Sequence, residues 1–392
     1  MIQSRQGAND SGVADPVGES LPASPVSIDS PECAAYSDAI GCPEDGMTST
    51  IPRTALDGFY QKVQQLNMRP LWLNTGGGSE PDEQIKAMHW RWSDIRACMV
   101  EAGNLMPVGS ADAERRVLTL QNPSIPGGRG STQTIQAAVQ MIHGGERAPS
   151  HRHTIAAIRF IIEGSGAVTI VDGEPLVMEP GDFLLTPNWT WHGHTKETDG
   201  EMFWLDVLDA PFVRGQNWMF YEEYPGDDLQ PPNVGRDDSL RRLGLPGMRP
   251  LTYRPNGKSY SPLFSYKWTD ARPALDRLSD ADASPYDGRA IRYVNPITGG
   301  PIMPTMDATL QLFQPGEETR AHRHTSSAVY YVAEGSGCSQ VGDQTINWTT
   351  SDIFAVPTWA RHAHQASGSG AVLFSISDQP VLDALELYRE SQ

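Results

Sequence analysis

Apolar positions along the chain change their period near residue 133. Upstream they are sparse and helical. Asp57-Gly-Phe-Tyr-Gln-Lys-Val-Gln-Gln-Leu66 places apolar residues at 59, 63 and 66, which predicts a short amphipathic helix. A second helix is expected over Ser93–Ala102, with Ser93 as its N-cap. Downstream the runs are short, rich in β-branched residues and cut by Gly and Pro. Ile158–Gly173 reads as strand, tight turn, strand; Met178–Pro187 as a turn feeding a strand; Glu201–Leu208 as one more strand. Turn signals about every 8–12 residues predict an antiparallel sandwich or barrel. Two stretches break this texture. Residues 1–53, rich in Ser, Pro, Asp and Gly, lack the apolar surface that would offset ordering entropy and are expected to form a mobile tail. Residues 225–300 predict a long surface connection with one weak helix near Ala271–Leu278.

The β texture occurs twice. His322-Arg-His-Thr325 repeats His151-Arg-His-Thr154, and Ala333-Glu-Gly-Ser-Gly337 repeats Ile162-Glu-Gly-Ser-Gly166, each 171 residues later. Val356-Pro-Thr-Trp-Ala-Arg-His-Ala-His364 repeats Thr186-Pro-Asn-Trp-Thr-Trp-His-Gly-His194 after 170. A near-constant offset marks an internal duplication, hence two β-barrels of one type. The expected organisation is a tail over 1–53, a first barrel domain with helical lead-in over 54–225, a connection over 226–300 and a second barrel domain over 301–392. A chain of 392 residues is long enough for a core in each. The formal net charge of −18 argues against nucleic acid or an anionic membrane as main partner. No apolar run reaches the roughly 18 residues of a membrane span, and the opening MIQSRQGANDSG carries no apolar signal core. Cys33, Cys42, Cys98 and Cys338 form no C-x-x-C, as expected of reduced thiols in a cytoplasmic protein.

Histidine carries the chemistry. Eight of the ten histidines fall in four H-x-H pairs: His151/His153, His192/His194, His322/His324 and His362/His364. On a strand, residues i and i+2 face the same way, so each pair delivers two imidazoles into one barrel interior. A third histidine about forty residues on, from a neighbouring strand, closes a three-point site. Imidazole suits iron, zinc, copper or nickel, whereas calcium and magnesium demand oxygen. One such pair has an ordinary structural explanation; four at repeated spacing point to metal ligation.

Gly145-x5-His151-x-His153 and Gly181-x5-Pro187-x-Trp189-x2-His192 resemble the two cupin motifs in spacing at every anchor. The second half repeats them as Gly316-x5-His322-x-His324 and Ser351-x5-Pro357-x-Trp359-x2-His362. The fold class expected is therefore β-dominated: a bicupin of two double-stranded β-helix (jelly-roll) barrels with a few flanking helices. Many cupins add a Glu ligand three or four residues after H-x-H. Here those positions hold Ala157 and Ile158, and Ala328 and Val329. Three neutral histidines leave three facial positions of an octahedral metal open, which suits a chelating substrate plus dioxygen.

Beyond the ligands, His151–Gly164, Met178–His194 and Trp204-Leu-Asp206 resemble the gentisate 1,2-dioxygenase group, which includes salicylate and 1-hydroxy-2-naphthoate ring-cleaving enzymes. The likeness runs through Phe59-Tyr60, Arg69-Pro-Leu-Trp72, Glu114-Arg-Arg-Val-Leu118, Ser261-Pro-Leu-Phe264, Tyr266, Trp268 and Asn295-Pro-Ile-Thr-Gly-Gly300, roughly residues 55–385. It implies an Fe(II) enzyme that uses O2 to open an aromatic hydroxy acid between the carboxylate-bearing and hydroxyl-bearing carbons. His151, His153 and His192 would be the iron ligands. Arg159 is placed inward by its even spacing from His153, where a charge needs a partner, and would bind the substrate carboxylate with Arg115. The resemblance makes His194 the residue that hydrogen-bonds the substrate hydroxyl and takes its proton. Asp206, buried by pattern, would orient that histidine or an arginine, and Gln140 would line the pocket.

The chain also departs from the group. Gln136 stands where gentisate and salicylate enzymes commonly carry Tyr or Trp, with Ala138 next in the pocket. This leaves room for a bulkier or substituted salicylate such as a naphthoate or nitrosalicylate. The second barrel keeps His322, His324 and His362 but has Tyr330 in place of Arg159 and Ser375 opposite Asp206. It is expected to be able to bind metal without the charges that hold a carboxylate, in a structural or vestigial role rather than as a second active site. The resemblance also implies a homotetramer or homodimer. Two other classes are weighed against this reading: a Mn/Zn bicupin decarboxylase or isomerase, disfavoured by the missing Glu, and a non-catalytic binding bicupin, disfavoured by eight motif histidines and an inward arginine.

Overall fold

The structure, a computed structural model, describes residues 52–73, 80–81, 85–108, 114–226 and 228–392. The expected tail lies outside these residues apart from Pro52 and Arg53, as do Cys33 and Cys42. The chain divides into two units, 1–77 and 78–392. In the first, helix α1 (Arg53–Gln65) begins one turn upstream of the amphipathic segment, and Phe59 stacks on Trp72 of the short turn that follows.

The second unit holds both barrels. A lead-in strand β1 (Met88–Trp90) and helix α2 (Trp92–Leu105) come first. The first barrel then uses β2 (Val117–Leu120), β3 (Gln136–His143), β4 (Arg147–His153), β5 (Ala157–Glu163), β6 (Ala167–Val171), β7 (Glu174–Met178), β8 (Phe183–Thr186), β9 (His192–Lys196) and β10 (Glu201–Leu208). Helix α3 (Ala210–Gly215) and strand β11 (Tyr221–Glu223) end it. The connection contributes α4 (Asp238–Leu243), β12 (Ser265–Tyr266) and α5 (Trp268–Asp276). The second barrel comprises β13 (Ala283–Ser284), β14 (Gly288–Arg292), β15 (Asp307–Phe313), β16 (Arg323–His324), β17 (Ala328–Val341), β18 (Gln344–Thr349), β19 (Ile353–Val356) and β20 (His362–Ser377), closed by α6 (Gln379–Ala384) and β21 (Glu390–Ser391). Among the described residues no helix is long and apolar enough to cross a membrane.

The first barrel has one wall ordered β12-β8-β5-β10-β3-β2 and a facing wall ordered β11-β4-β9-β6-β7. Alternation sorts the residues of the first wall. Val139, Ile158, Phe160 and Leu205 point away from the barrel and share one core with Val329, Tyr331, Phe374 and Ile376 of the second. Phe160 and Phe374 meet there with ring centroids 4.4 Å apart. The opposite face lines the barrel, apolar at its floor where Ile142, Ile161 and Trp204 meet Met178 of the facing wall. In the second barrel β17 and β20 are long enough to serve both walls, turning the corner at irregularities between Val332 and Glu334 and between Gly335 and Gly337.

Each barrel takes in a strand from beyond its own stretch of chain. Strand β1 pairs with β19 of the second barrel, and β12 pairs with β8 of the first. The Trp92 N–H that opens α2 donates to Asp352 Oδ1 at 2.8 Å, and the Trp268 N–H that opens α5 donates to Asp182 Oδ1 at 3.1 Å. The expected Ser93 cap is thus corrected. Helix α2 starts at Trp92, and a carboxylate from the other barrel faces its positive end. The weak helix of the connection starts three residues early, and Ser261 and Ser265 are fully buried, so this stretch is part of the core wall rather than only a surface strap. Thr305 Oγ1 donates to Asp209 Oδ2 at 2.6 Å across the barrels, and Thr134 donates reciprocally to the Asp378 carboxylate.

Candidate active site

The H-x-H strand β4 lies beside β9, with His151 opposite His192, so three imidazoles meet across one strand pair. Ligand nitrogens of His151, His153 and His192 all lie within 4.8 Å of one another. The turn before β9 is tied to the ligand strand by the Trp189 N–H, which donates to the His153 carbonyl at 2.7 Å. Trp189 itself sits at φ +59°, the left-handed region, and Arg152 stacks between it and Trp191 at 4.5 and 4.4 Å.

Backbone carbonyls set the tautomers. His153 Nδ1 donates to the Ile155 carbonyl at 2.7 Å and His192 Nδ1 to the Thr190 carbonyl at 3.0 Å. Each ring therefore turns an unprotonated Nε2 to the centre. His151 Nδ1 is surrounded by the Tyr221 hydroxyl and Arg115 Nη2, both at 3.2 Å, and Glu114 Oε1 at 3.4 Å. Burial, and then the positive charge of Arg115, lowers His151 to about 2; burial lowers His153 to about 4 and His192 well below 6.5. All three imidazoles are neutral at neutral pH. Three converging imidazoles, two of them with an unprotonated Nε2 and no carboxylate among them, fit an imidazole-preferring divalent metal.

A charged wall adjoins the triad. Arg159 lies opposite Asp206 in the strand register, with Nε 2.9 Å from Oδ1, and its Nη1 donates to the Thr186 hydroxyl. Trp204 Nε1 holds the other oxygen of Asp206 at 3.1 Å. Asp206 therefore orients the arginine, while His194 is held elsewhere. Thr169 donates its hydroxyl proton to Met178 Sδ at 3.1 Å, so its oxygen accepts from His194 Nδ1 at 2.9 Å. That assignment leaves His194 Nε2 as a bare acceptor, and it is buried without a partner. Burial and the charges of Arg159 and Arg115 keep this imidazole neutral.

Arg115 is mostly enclosed, with Nη2 donating to the Pro149 carbonyl, and desolvation lowers it to about 10. Its neighbour Arg116 turns the other way onto Glu146, so neither arginine of the pair is a solvated charge. Gln136, Ala138 and Gln140 alternate along β3 opposite Leu208, Asp206 and Trp204, on the face that carries Arg159. The sequence-predicted residues thus gather on one barrel's inner walls. Sequence reasoning missed Tyr221, Thr169 and Thr186. Thr169 was detectable as a lone hydroxyl inside the apolar run Ala167–Val171, whereas nothing in the pattern marks Tyr221. The second triad, His322, His324 and His362, is likewise brought within 4.8 Å.

Comparison with known proteins agrees with this geometry. The family model of the cupin domain matches residues 138–208 and 309–377. A 5-aminosalicylate 1,2-dioxygenase from Comamonas sp. is 39% identical over 86% of this chain and 90% of its own length. A gentisate 1,2-dioxygenase from Aquipseudomonas alcaligenes is 38% identical over 85% of this chain and 95% of its own. The solved salicylate 1,2-dioxygenase of Pseudoaminobacter salicylatoxidans in adduct with gentisate superposes with a TM-score of 0.81 at 33% identity, covering 89% of this chain and 96% of that one. The chain belongs to the gentisate and salicylate 1,2-dioxygenase family of bicupin ring-cleaving enzymes.

Proposed function

We propose that the first barrel binds Fe(II) on His151, His153 and His192 and cleaves a 2-hydroxybenzoate-type acid between its carboxylate-bearing and hydroxyl-bearing carbons. The observation that carries this is a three-imidazole site sharing its barrel with a buried guanidinium, Arg159. Iron at the triad would supply open coordination positions and the electron transfer that lets a ring react with O2.

The protein groups do the rest. Arg159, locked by Asp206 and Thr186, presents its planar fork to the substrate carboxylate, and Arg115 adds charge from beside His151. His194 Nε2 accepts the proton of the substrate hydroxyl, with Thr169 fixing the ring. The apolar floor excludes water behind the ring. The product keeps the elements of substrate and O2 as a ring-opened oxo-dicarboxylic acid. Gln136 and the small Ala138 face this space beside Asp206, which favours a substituted or bulkier salicylate over gentisate alone.

The test is to strip the metal, reload with Fe(II) without air, and measure oxygen uptake with gentisate, salicylate, substituted salicylates and 1-hydroxy-2-naphthoate. Uptake matched by loss of the aromatic absorption is expected for at least one acid, and His192→Ala should abolish it. An iron-loaded protein that consumes no oxygen with any member of the panel would retire the reading.

A further inference from the structure

The second barrel repeats the ligand geometry of the first and inverts its surroundings. His322 Nε2 lies 3.0 Å from His362 Nε2. His362 Nδ1 donates to the Ala360 carbonyl at 2.9 Å, and His324 Nδ1 to the carbonyl and hydroxyl of Ser326, both at 2.8 Å. These bonds match those of His192 and His153, so here too unprotonated Nε2 atoms converge. His322 and His362 are both buried. One proton between His322 and His362 can bridge a single pair of nitrogens; a cation offsets all three lone pairs at once.

The charged wall is missing. Tyr330 lies opposite Ser375, as Arg159 lies opposite Asp206. Glu390 lies opposite His324, where the first barrel sets Tyr221 opposite His153. A cavity of about 420 Å³ sits over the triad, lined among others by Asp287, Gln311, Tyr330, Tyr388 and Glu390. Among the described residues, the cation in its lining is Arg292, half-exposed and 3.5 Å from Asp307. His364, the counterpart of His194, is held by a serine in place of Thr169. Ser339 accepts from Trp348 Nε1 at 2.8 Å and lies 2.7 Å from His364 Nδ1.

We propose that the second barrel is a second metal centre that does not cleave rings: it takes a divalent transition metal on His322, His324 and His362 and excludes aromatic carboxylates. Full-length protein stripped by chelator, loaded with Co(II) and freed of excess should hold two equivalents. His192→Ala and His362→Ala should each hold one. Gentisate should shift the visible absorption of Co(II)-loaded His362→Ala and leave that of His192→Ala unchanged, while iron-loaded His362→Ala keeps wild-type ring cleavage. His324→Gln, closer in bulk to imidazole, gives the same reading if the alanine variant does not fold. A single equivalent in wild type, or two in folded His362→Ala or His324→Gln, overturns the second centre. A gentisate response in His192→Ala overturns the exclusion.

Discussion

Arg159 touches Asp206 and Thr186 but none of the three histidines, so its substitution tests the proposed carboxylate binding apart from the proposed metal binding. If its guanidinium holds the carboxylate in a desolvated space, its removal leaves that charge underpaired, at about 3–5 kcal/mol. Arg159→Ala should lower kcat/KM at least about a hundredfold, at roughly 1.4 kcal/mol per factor of ten, with iron content unchanged. Arg159→Lys should recover only part, since a point charge cannot replace a planar fork. Near-normal kinetics in Arg159→Ala would hand the carboxylate to Arg115 or to the metal. At this scale the sequence was most legible where a residue's placement follows from strand alternation. The converging histidines and the inward Arg159 are such cases. It was least legible where the partner is remote: Asp206 could have served His194 or an arginine until the register set it opposite Arg159, and Thr169 became a tautomer-setting group only once β6 lay beside β9.

Elements were legible in proportion to how local their causes are. Strand β10 covers Glu201–Leu208 as expected, because alternation and flanking turns define it. The start of α2 is shifted because its cap is Asp352, far away in sequence. Turns follow the same rule. Gly181 of the second motif has φ +84°, and a Cβ there would lie 2.5 Å from the Trp268 ring. The counterpart Ser351 accepts φ +73° and sets its hydroxyl 3.2 Å from Tyr331. Gly181→Ala combines left-handed strain with overpacking and should cost about 2–4 kcal/mol. Urea unfolding would measure it; a loss under about 1 kcal/mol would mean that α5 yields easily.

At the scale of the whole molecule, the two barrels are clasped by the Thr305–Asp209 and Thr134–Asp378 bonds. Burial raises Asp209 to about 6 against the donors Thr305 and Ala156. A carboxyl whose folded value lies above its unfolded one adds stability that is complete below about pH 4 and fades as pH rises through about 6. The Tm difference between Asp209→Asn and wild type should therefore move in the variant's favour from about pH 4 to about pH 7. A pH-independent difference would show that this carboxyl titrates as if exposed. The reciprocal placing of β1 and β12 has a further consequence. Leu251, in the connection, is 96% exposed, and a single proteolytic cut there would leave one fragment gripping the other by β1 and α2 while being gripped by β12 and α5. The nicked chain should behave as a tight heterodimer, eluting as one species until denatured and still consuming oxygen. Covalent continuity would then matter for finding the partner fold, not for keeping it, and a chimaera that exchanges one barrel with a relative would have to carry the borrowed strand and helix along with it.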